Sequence, residues 1–310
     1  MFFKKKIIEE KKPNGLYAGL DELIEQKKYL PYIRSRHNKM TSDRAGDIRS
    51  AFKGRGMEFE EVRTYGFGDD VRDIDWRVTA RKGGTYTKVF AEEKDREVYV
   101  VLDLSPYMVF GTRKELKSVA AAKLAALLGW QSMANKDRFG LILFNGIETL
   151  VFKPQNNQKH LMAILKAISK TSEAVLTSKT DINQTKDIAE PLQLLQFGIK
   201  SRATVFVLSD FKNISDVALK SLVALTKRCR VYCMNIYDVI EDTPPASGEY
   251  MAEYNGEKLV FDSTPETFKR AYYYYFLEKR RKMESFCKRF NCQYLNIRTD
   301  RPLYKQLKIL

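Results

Sequence analysis

Histidine is scarce in this chain of 310 residues, which has only His37 and His160. Its four cysteines are Cys229, Cys233, Cys287 and Cys292. This cysteine spacing, with so few histidines, does not match a zinc site. We therefore interpret the cysteines as reduced thiols near buried elements of a cytosolic protein. Ser-His-Asp catalysis has no support either, because neither histidine lies near Ser105, the one serine in a nucleophile-like setting.

Long apolar runs are also absent. The longest, VYVVLDL and TVFVLS, are far shorter than the ~20 residues that a membrane span needs. The N-terminal stretch MFFKKKIIEEKK has no apolar core of signal-peptide length. No glycine-rich nucleotide loop of either common pattern is present. We expect a cytoplasmic protein with no membrane span, and one that is not an enzyme.

Positive charge is in excess, with 54 lysines and arginines against 39 acidic residues and a net charge of +15. Such a charge is typical of nucleic-acid-binding proteins, which we keep as the alternative function. The basic residues are spread widely, however, and no zinc-finger or RNA-recognition pattern accompanies them. The same charge would equally help the protein to dock an acidic protein partner.

The composition and patterning of the sequence predict three regions. Residues 1–56 are interpreted as a helical segment and linker, and residues 57–96 as a small β-rich module. Within that module we expect a hairpin at Lys82-Gly83-Gly84, between WRVTAR and TYTKVFAEE. The cluster of Asp69, Asp70, Asp73 and Asp75 is interpreted as a turn whose carboxylates bond backbone amides and arginines, with Trp76 buried beside it.

Residues 97–310 alternate between strands and helices. REVYVVLDL and ATVFVLSD are apolar on both faces, and amphipathic helices lie between such strands. A hairpin (GEYMAEYNGEKLVFDS), a long helix from Pro265 to about Phe290 and a strand (CQYLNIR) complete the pattern. The predicted fold class is α/β, a mainly parallel sheet with helices on both faces.

Oxygen-bearing side chains follow two of these strands. Asp103 and Ser105 end one strand, Asp210 ends another, and Thr180 lies in a polar loop, residues 176–185. Ligands gather at the carboxyl ends of parallel strands, and hard cations such as Mg²⁺ or Mn²⁺ need several oxygens. The competing interpretation is that these residues only cap helices and satisfy turns.

A family resemblance joins these features. The stretch GRGMEFEEVRTYGFGDDVRDIDWRVTARKGGTYTKVFAEEKDREVYVVLDLSPYMVFG resembles the bacterial family called domain of unknown function fifty-eight. VYVVLDLSPYM, TDI and VFVLSD occur in the order expected of a von Willebrand factor A-like domain. The resemblance implies a non-enzymatic adaptor or co-chaperone for an AAA+ ATPase of the MoxR type, acting on a protein client.

The metal-ion-dependent adhesion motif of such domains has a second serine where this chain has Tyr107. The phenol oxygen lies too far from the backbone to replace a serine ligand. Either water replaces the missing ligand, as Mg²⁺ permits, or the metal is absent and Tyr107 contacts the partner directly. The resemblance thus implies a metal site, intact or degenerate, at Asp103, Ser105, Thr180 and Asp210 that engages a partner's carboxylate.

Four consecutive tyrosines, in AYYYYFLEKRRKM, cover every side of the long C-terminal helix. We expect these side chains to be buried on two sides, with their hydroxyl groups reaching solvent. A partner-binding patch is the functional alternative, because tyrosine and arginine are enriched at interaction hot spots.

Overall fold

A six-stranded sheet organises the larger part of the structure, a computed structural model that describes residues 15–33, 57–66, 69–92, 96–177, 184–199, 202–254 and 257–307. Its strands are β3 (Glu97–Asp103), β4 (Arg138–Phe144), β5 (Thr149–Gln155), β6 (Thr204–Ser209), β7 (Arg230–Tyr237) and β10 (Gln293–Arg298). Their order is β10-β7-β6-β3-β4-β5, and all neighbours are parallel except the β4–β5 pair. This confirms the predicted fold class.

Helices cover both faces of this sheet because its central strands are apolar on both sides. In β3, Val100 and Leu102 belong to one buried cluster and Val101 belongs to the other. The first cluster is shared with α3 (Lys117–Ala134) and α4 (Gln158–Thr177). The second is shared with α5 (Ala189–Gly198), α6 (Asp216–Thr226) and α7 (Glu266–Arg289). A last short helix, α8, spans Leu303–Gln306.

The N-terminal helix α1 (Leu20–Glu25) packs into the first of these clusters. Leu23 is fully buried, and its carbonyl accepts a hydrogen bond from the indole of Trp130 at 3.1 Å. The backbone amide of Ala18 donates to the Ser172 hydroxyl at 3.0 Å. Residues 15–33 therefore belong to the same compact unit as the sheet. Residues 42–95, which come between residues 15–33 and the sheet in the sequence, form a second unit.

The second unit contains an antiparallel pair, β1 (Met57–Thr64) and β2 (Tyr86–Glu92), and a helix, α2 (Trp76–Lys82). The predicted hairpin at Lys82-Gly83-Gly84 is wrong, because WRVTARK is helical. Asp75 caps the helix by accepting from two backbone amides, and Gly83 ends it at a φ of +73°. Trp76 is not buried but 67% exposed. The amide-bonding role predicted for the acidic cluster holds for Asp75, as it does for Asp69 and Asp70.

The predicted C-terminal hairpin is present as β8 (Glu249–Tyr254) paired antiparallel with β9 (Glu257–Asp262). The tyrosine run lies on α7, where Tyr273, Tyr274 and Tyr275 are exposed. The side chain of Lys279 lies over the ring of Tyr275, 4.6 Å from its centroid. Among the described helices, none has the length and apolar character needed to cross a membrane.

Candidate functional site

Two aspartates at the ends of the central strands face opposite sides of the sheet. Strands β3 and β6 pair in parallel with Leu102 beside Leu208, so Asp103 is the neighbour of Ser209. Side chains alternate along a strand. Asp103 and Ser209 therefore point toward the α5–α6 face, whereas Asp210, one residue later, points toward the face covered by α3.

Asp103 is buried and hydrogen-bonded only to neutral groups among the described residues. Its Oδ1 accepts from the backbone amide of Ser105 at 2.9 Å, and its Oδ2 accepts from the Ser209 hydroxyl at 2.6 Å. Burial raises the pKa of this carboxyl group, and the nearby charge of Asp210 raises it further, against the hydrogen bonds from Ser209 and Ser105. A cation placed beside Asp103 would reverse this shift.

A cavity of about 190 Å³ opens beside Asp103 at the carboxyl ends of the strands. Its lining includes Asp103, Ser105, Tyr107, Thr185, Ser209 and Asp210. Three of the four predicted metal ligands thus lie around one space, together with the predicted contact residue Tyr107. The fourth, Thr180, lies outside the described residues.

Thr185, the last residue of the predicted loop, lines the same cavity. Its Oγ1 is buried and has no hydrogen-bond partner among the described residues. The turn at Gly146 holds it there, since the Gly146 carbonyl accepts from the Lys186 amide at 2.8 Å. A Cβ at Gly146 would approach Thr185 Cγ2 to 2.8 Å and Ser105 Cβ to 3.3 Å. Ser105 and Thr185 therefore meet across this glycine.

Asp210 is paired with an internal cation. Its Oδ2 lies 2.6 Å from Nζ of Lys117, a fully buried lysine at the first position of α3. Lys117 also lies 3.3 Å from Glu241, which forms a further short ion pair with Lys212. Burial acts to lower the pKa of Lys117, but the two carboxylates outweigh it, and the pKa is raised above its ordinary value. Lys117 is therefore held charged inside the protein.

Two features that the prediction did not include account for these contacts. The parallel register places Ser209, not Asp210, beside Asp103. A lysine in the first turn of a helix opposes the helix dipole, so Lys117 at the start of α3 indicates a local acidic partner.

The donor set fits a hard divalent cation. Asp103 offers a carboxylate whose charge no described cation neutralises directly, and Ser105 offers a hydroxyl. Within the described part of the chain, the buried Thr185 hydroxyl has no hydrogen-bond partner. Oxygen ligands of this kind, completed by water, suit Mg²⁺ or Mn²⁺. Asp210 is committed to Lys117 and stands as an outer group.

Comparisons with known sequences match the chain to a family of unknown function and to uncharacterized proteins. Residues 61–282 match the family described as "Protein of unknown function DUF58". The chain is 25% identical over 208 residues to the uncharacterized proteins Mb1516 of Mycobacterium bovis and Rv1480 of Mycobacterium tuberculosis. The match covers 67% of this chain and 63% of each relative, so it spans less than two thirds of their length.

Solved structures similar to the chain include two further proteins. One is the conserved hypothetical protein BatB from Bacteroides thetaiotaomicron, with 18% identity, coverage of 68% of this chain and 93% of that one, and a TM-score of 0.42. The other is the SpRpn10 VWA domain, with 10% identity, the same two coverages and a TM-score of 0.39.

Proposed function

The chain belongs to the family of proteins of unknown function DUF58, and from this premise we propose that it is a non-enzymatic adaptor that binds a protein partner at the carboxyl edge of its sheet. In this proposal Asp103, Ser105 and Thr185 hold a divalent cation. The bound cation supplies electrostatic attraction for a carboxylate of the partner. Tyr107, on the rim of the same cavity, contacts the partner beside that carboxylate.

The observation that carries this proposal is the buried hydroxyl of Thr185, which has no hydrogen-bond partner among the described residues. A buried hydroxyl without a hydrogen bond costs free energy, about 1–3 kcal/mol, which a bound ligand would recover. Thr185 lines the same cavity as Asp103, a buried carboxylate that pairs with no cation among the described residues. An oxygen-binding cation satisfies both groups at once, whereas a neutral ligand would leave the buried charge.

The rest of the proposal concerns the partners, and the family resemblance supports it. We propose a cytoplasmic AAA+ ATPase of the MoxR type as the machine that this adaptor serves, and an unidentified protein as its client. The net charge of +15 would speed encounter with an acidic partner. Such steering weakens as salt increases, whereas the attraction through the cation depends on Asp103.

Calorimetric titration with Mn²⁺ and Mg²⁺ tests the site. We expect saturable binding in the wild-type protein and its loss in Asp103→Ala. Thr185→Val keeps the shape of the side chain and removes the oxygen, so we expect affinity to fall about 10-fold or more, as one lost ligand contact of about 1.4 kcal/mol implies. Thr177→Val is the matched control, because the Thr177 hydroxyl bonds carbonyls of its own helix and does not line the cavity, and it should bind as the wild type does.

Capture of a purified MoxR-type ATPase, with Mn²⁺ or with a chelator, tests the partner. Capture that requires both Mn²⁺ and Asp103 would support the full proposal. Equal Mn²⁺ affinity in wild type and Asp103→Ala would refute the cation site. Capture of DNA or RNA that weakens steeply with salt and ignores Asp103 would favour the nucleic-acid alternative instead.

A further inference from the structure

Three of the four cysteines converge in the core of the larger unit, on the face opposite α3. Cys233 lies in β7, Cys287 in the last turns of α7, and Cys292 just before β10. Cys233 and Cys287 are fully buried and Cys292 is 6% exposed. Their spacing in the sequence did not indicate a site, because the third sulfur comes from a strand more than fifty residues earlier.

The turn between α7 and β10 holds two of the sulfurs together. Asn291 adopts a φ of +53°, and the Cys292 amide donates to the Cys287 carbonyl at 2.9 Å. This six-to-one hydrogen bond is the Schellman ending of a helix. The parallel pairing of β10 with β7, in which Tyr294 is beside Cys233, then brings the third sulfur to the other two. Backbone hydrogen bonds therefore fix all three positions.

The distances suit a shared ligand. Sγ of Cys292 lies 3.5 Å from Sγ of Cys233 and 3.6 Å from Sγ of Cys287, and all three sulfurs lie within 4.8 Å of one another. A trigonal site with metal–sulfur bonds of about 2.3 Å needs sulfurs about 4.0 Å apart. The sulfurs stand close to that arrangement and would need only small side-chain movements to reach it.

The residues around the three sulfurs indicate which type of metal ion the cluster would bind. Cys233, Cys287 and Cys292 lie in an apolar cluster with Met283, one helical turn before Cys287. Among the described residues, no histidine or carboxylate joins the three sulfurs. Structural zinc sites are almost always four-coordinate, and hard ions need oxygen. Soft thiolates without a fourth ligand favour monovalent copper.

We propose that Cys233, Cys287 and Cys292 form a three-sulfur site for one monovalent copper ion. The site is separate from the cavity at Asp103, since no cysteine lines that cavity. Cys292, in the turn and slightly exposed, is the point of entry for the ion. Since thiols lose protons when they bind metal, copper uptake releases protons and stabilises the packing of α7 against the sheet.

The test is an anaerobic titration of the reduced, full-length protein with Cu⁺ against a chromophoric copper chelator. We expect one equivalent of copper to be retained, with X-ray absorption showing sulfur ligands only. Cys233→Ser and Cys292→Ser should each bind about 100-fold more weakly or worse, because loss of a ligand costs at least as much as loss of an outer-shell partner. Cys229→Ser is the matched control, four residues before Cys233 and outside the cluster, and should bind as the wild type does.

Circular dichroism of the metal-free variants keeps the test independent of folding. Should Cys233→Ser fail to fold, Cys292→Ser, at the edge of the cluster, decides the outcome. Copper that is not retained, or retained equally by Cys292→Ser, would overturn the proposal. So would tighter binding of Zn²⁺ than of Cu⁺, or a Cys233–Cys292 disulfide in freshly purified protein, shown by mass spectrometry after alkylation.

Discussion

Asp103 and Asp210 end neighbouring strands and line one cavity, yet the protein satisfies them in opposite ways. Asp210 has an internal cation, Lys117, in direct contact. Asp103 has a backbone amide and a hydroxyl, which are neutral donors. The difference arises because Ser209 is the neighbour of Asp103 on the adjacent strand and Asp210 is one residue later, so the two carboxylates point to opposite faces of the sheet and only Asp210 reaches Lys117.

Proximity to a cavity therefore does not by itself make a carboxylate a metal ligand. A buried charge that is already paired contributes to the fold, and its removal exposes the partner charge. A buried carboxylate that accepts hydrogen bonds only from neutral donors can still attract an external cation. The two aspartates should therefore respond to the same substitution with opposite changes in stability.

The largest effect should come from Lys117→Met. Methionine fills the volume of lysine but leaves Asp210 and Glu241 as buried carboxylates without their shared cation. We expect the free energy of unfolding to fall by about 3–5 kcal/mol, the cost of leaving a buried charge unpaired. Urea denaturation measures this loss. Lys282→Met, on an exposed pair with Glu278, should change stability by less than about 0.5 kcal/mol.

Asp210→Asn should cost less, about 2 kcal/mol, because Glu241 still faces Lys117 and the amide oxygen can still accept from the Lys212 backbone. The double variant Lys117→Met with Asp210→Asn tests whether the two side chains act together. We expect the double loss to be smaller than the sum of the single losses by about 1–3 kcal/mol. Additive losses would show that Asp210 does not depend on Lys117.

The smallest effect, and the one of opposite sign, should come from Asp103→Asn in metal-free buffer. The folded-state pKa of Asp103 is raised above its unfolded value, so the wild-type protein loses stability as pH rises from about 4 through that folded value. Asparagine does not titrate. The variant should match the stability of the wild type at acid pH and exceed it at neutral pH, by less than the loss expected for Asp210→Asn.

Urea denaturation at several pH values in the presence of a chelator measures this difference. With saturating Mn²⁺ the order should reverse, because the wild type alone gains stability from the bound ion. A variant that is less stable than the wild type at neutral pH without metal would contradict the contrast between the two aspartates.

The fold was predictable from the sequence because its signals are local. VYVVLDL and TVFVLS are apolar on both faces, and such strands separated by helices require a parallel sheet. The hairpin at Lys82-Gly83-Gly84 was mispredicted although its signals are also local. Asp75 and Gly83 mark the two ends of a helix, and these capping residues outweigh the β-branched side chains of WRVTAR.

The site was less predictable because it depends on register and on contacts between distant residues. Asp103 and Ser105 could be placed from the end of one strand. The position of Thr185 near Ser105 depends on the contact of Lys186 with Gly146, which no local pattern in the sequence indicates. The pair of Lys117 with Asp210 joins residues 93 positions apart. The cysteine cluster also joins distant residues, since Cys233 and Cys292 are 59 positions apart.

The packing of α1 has a consequence for how the chain is made. The contact between Leu23 and Trp130 joins residues 107 positions apart, with the second unit encoded between them. At about 5–20 residues per second, a ribosome needs about 5–20 seconds to synthesise the partner after the helix. The second unit is synthesised within that interval. Helix α1 is therefore made before the second unit but can pack against Trp130 only after it.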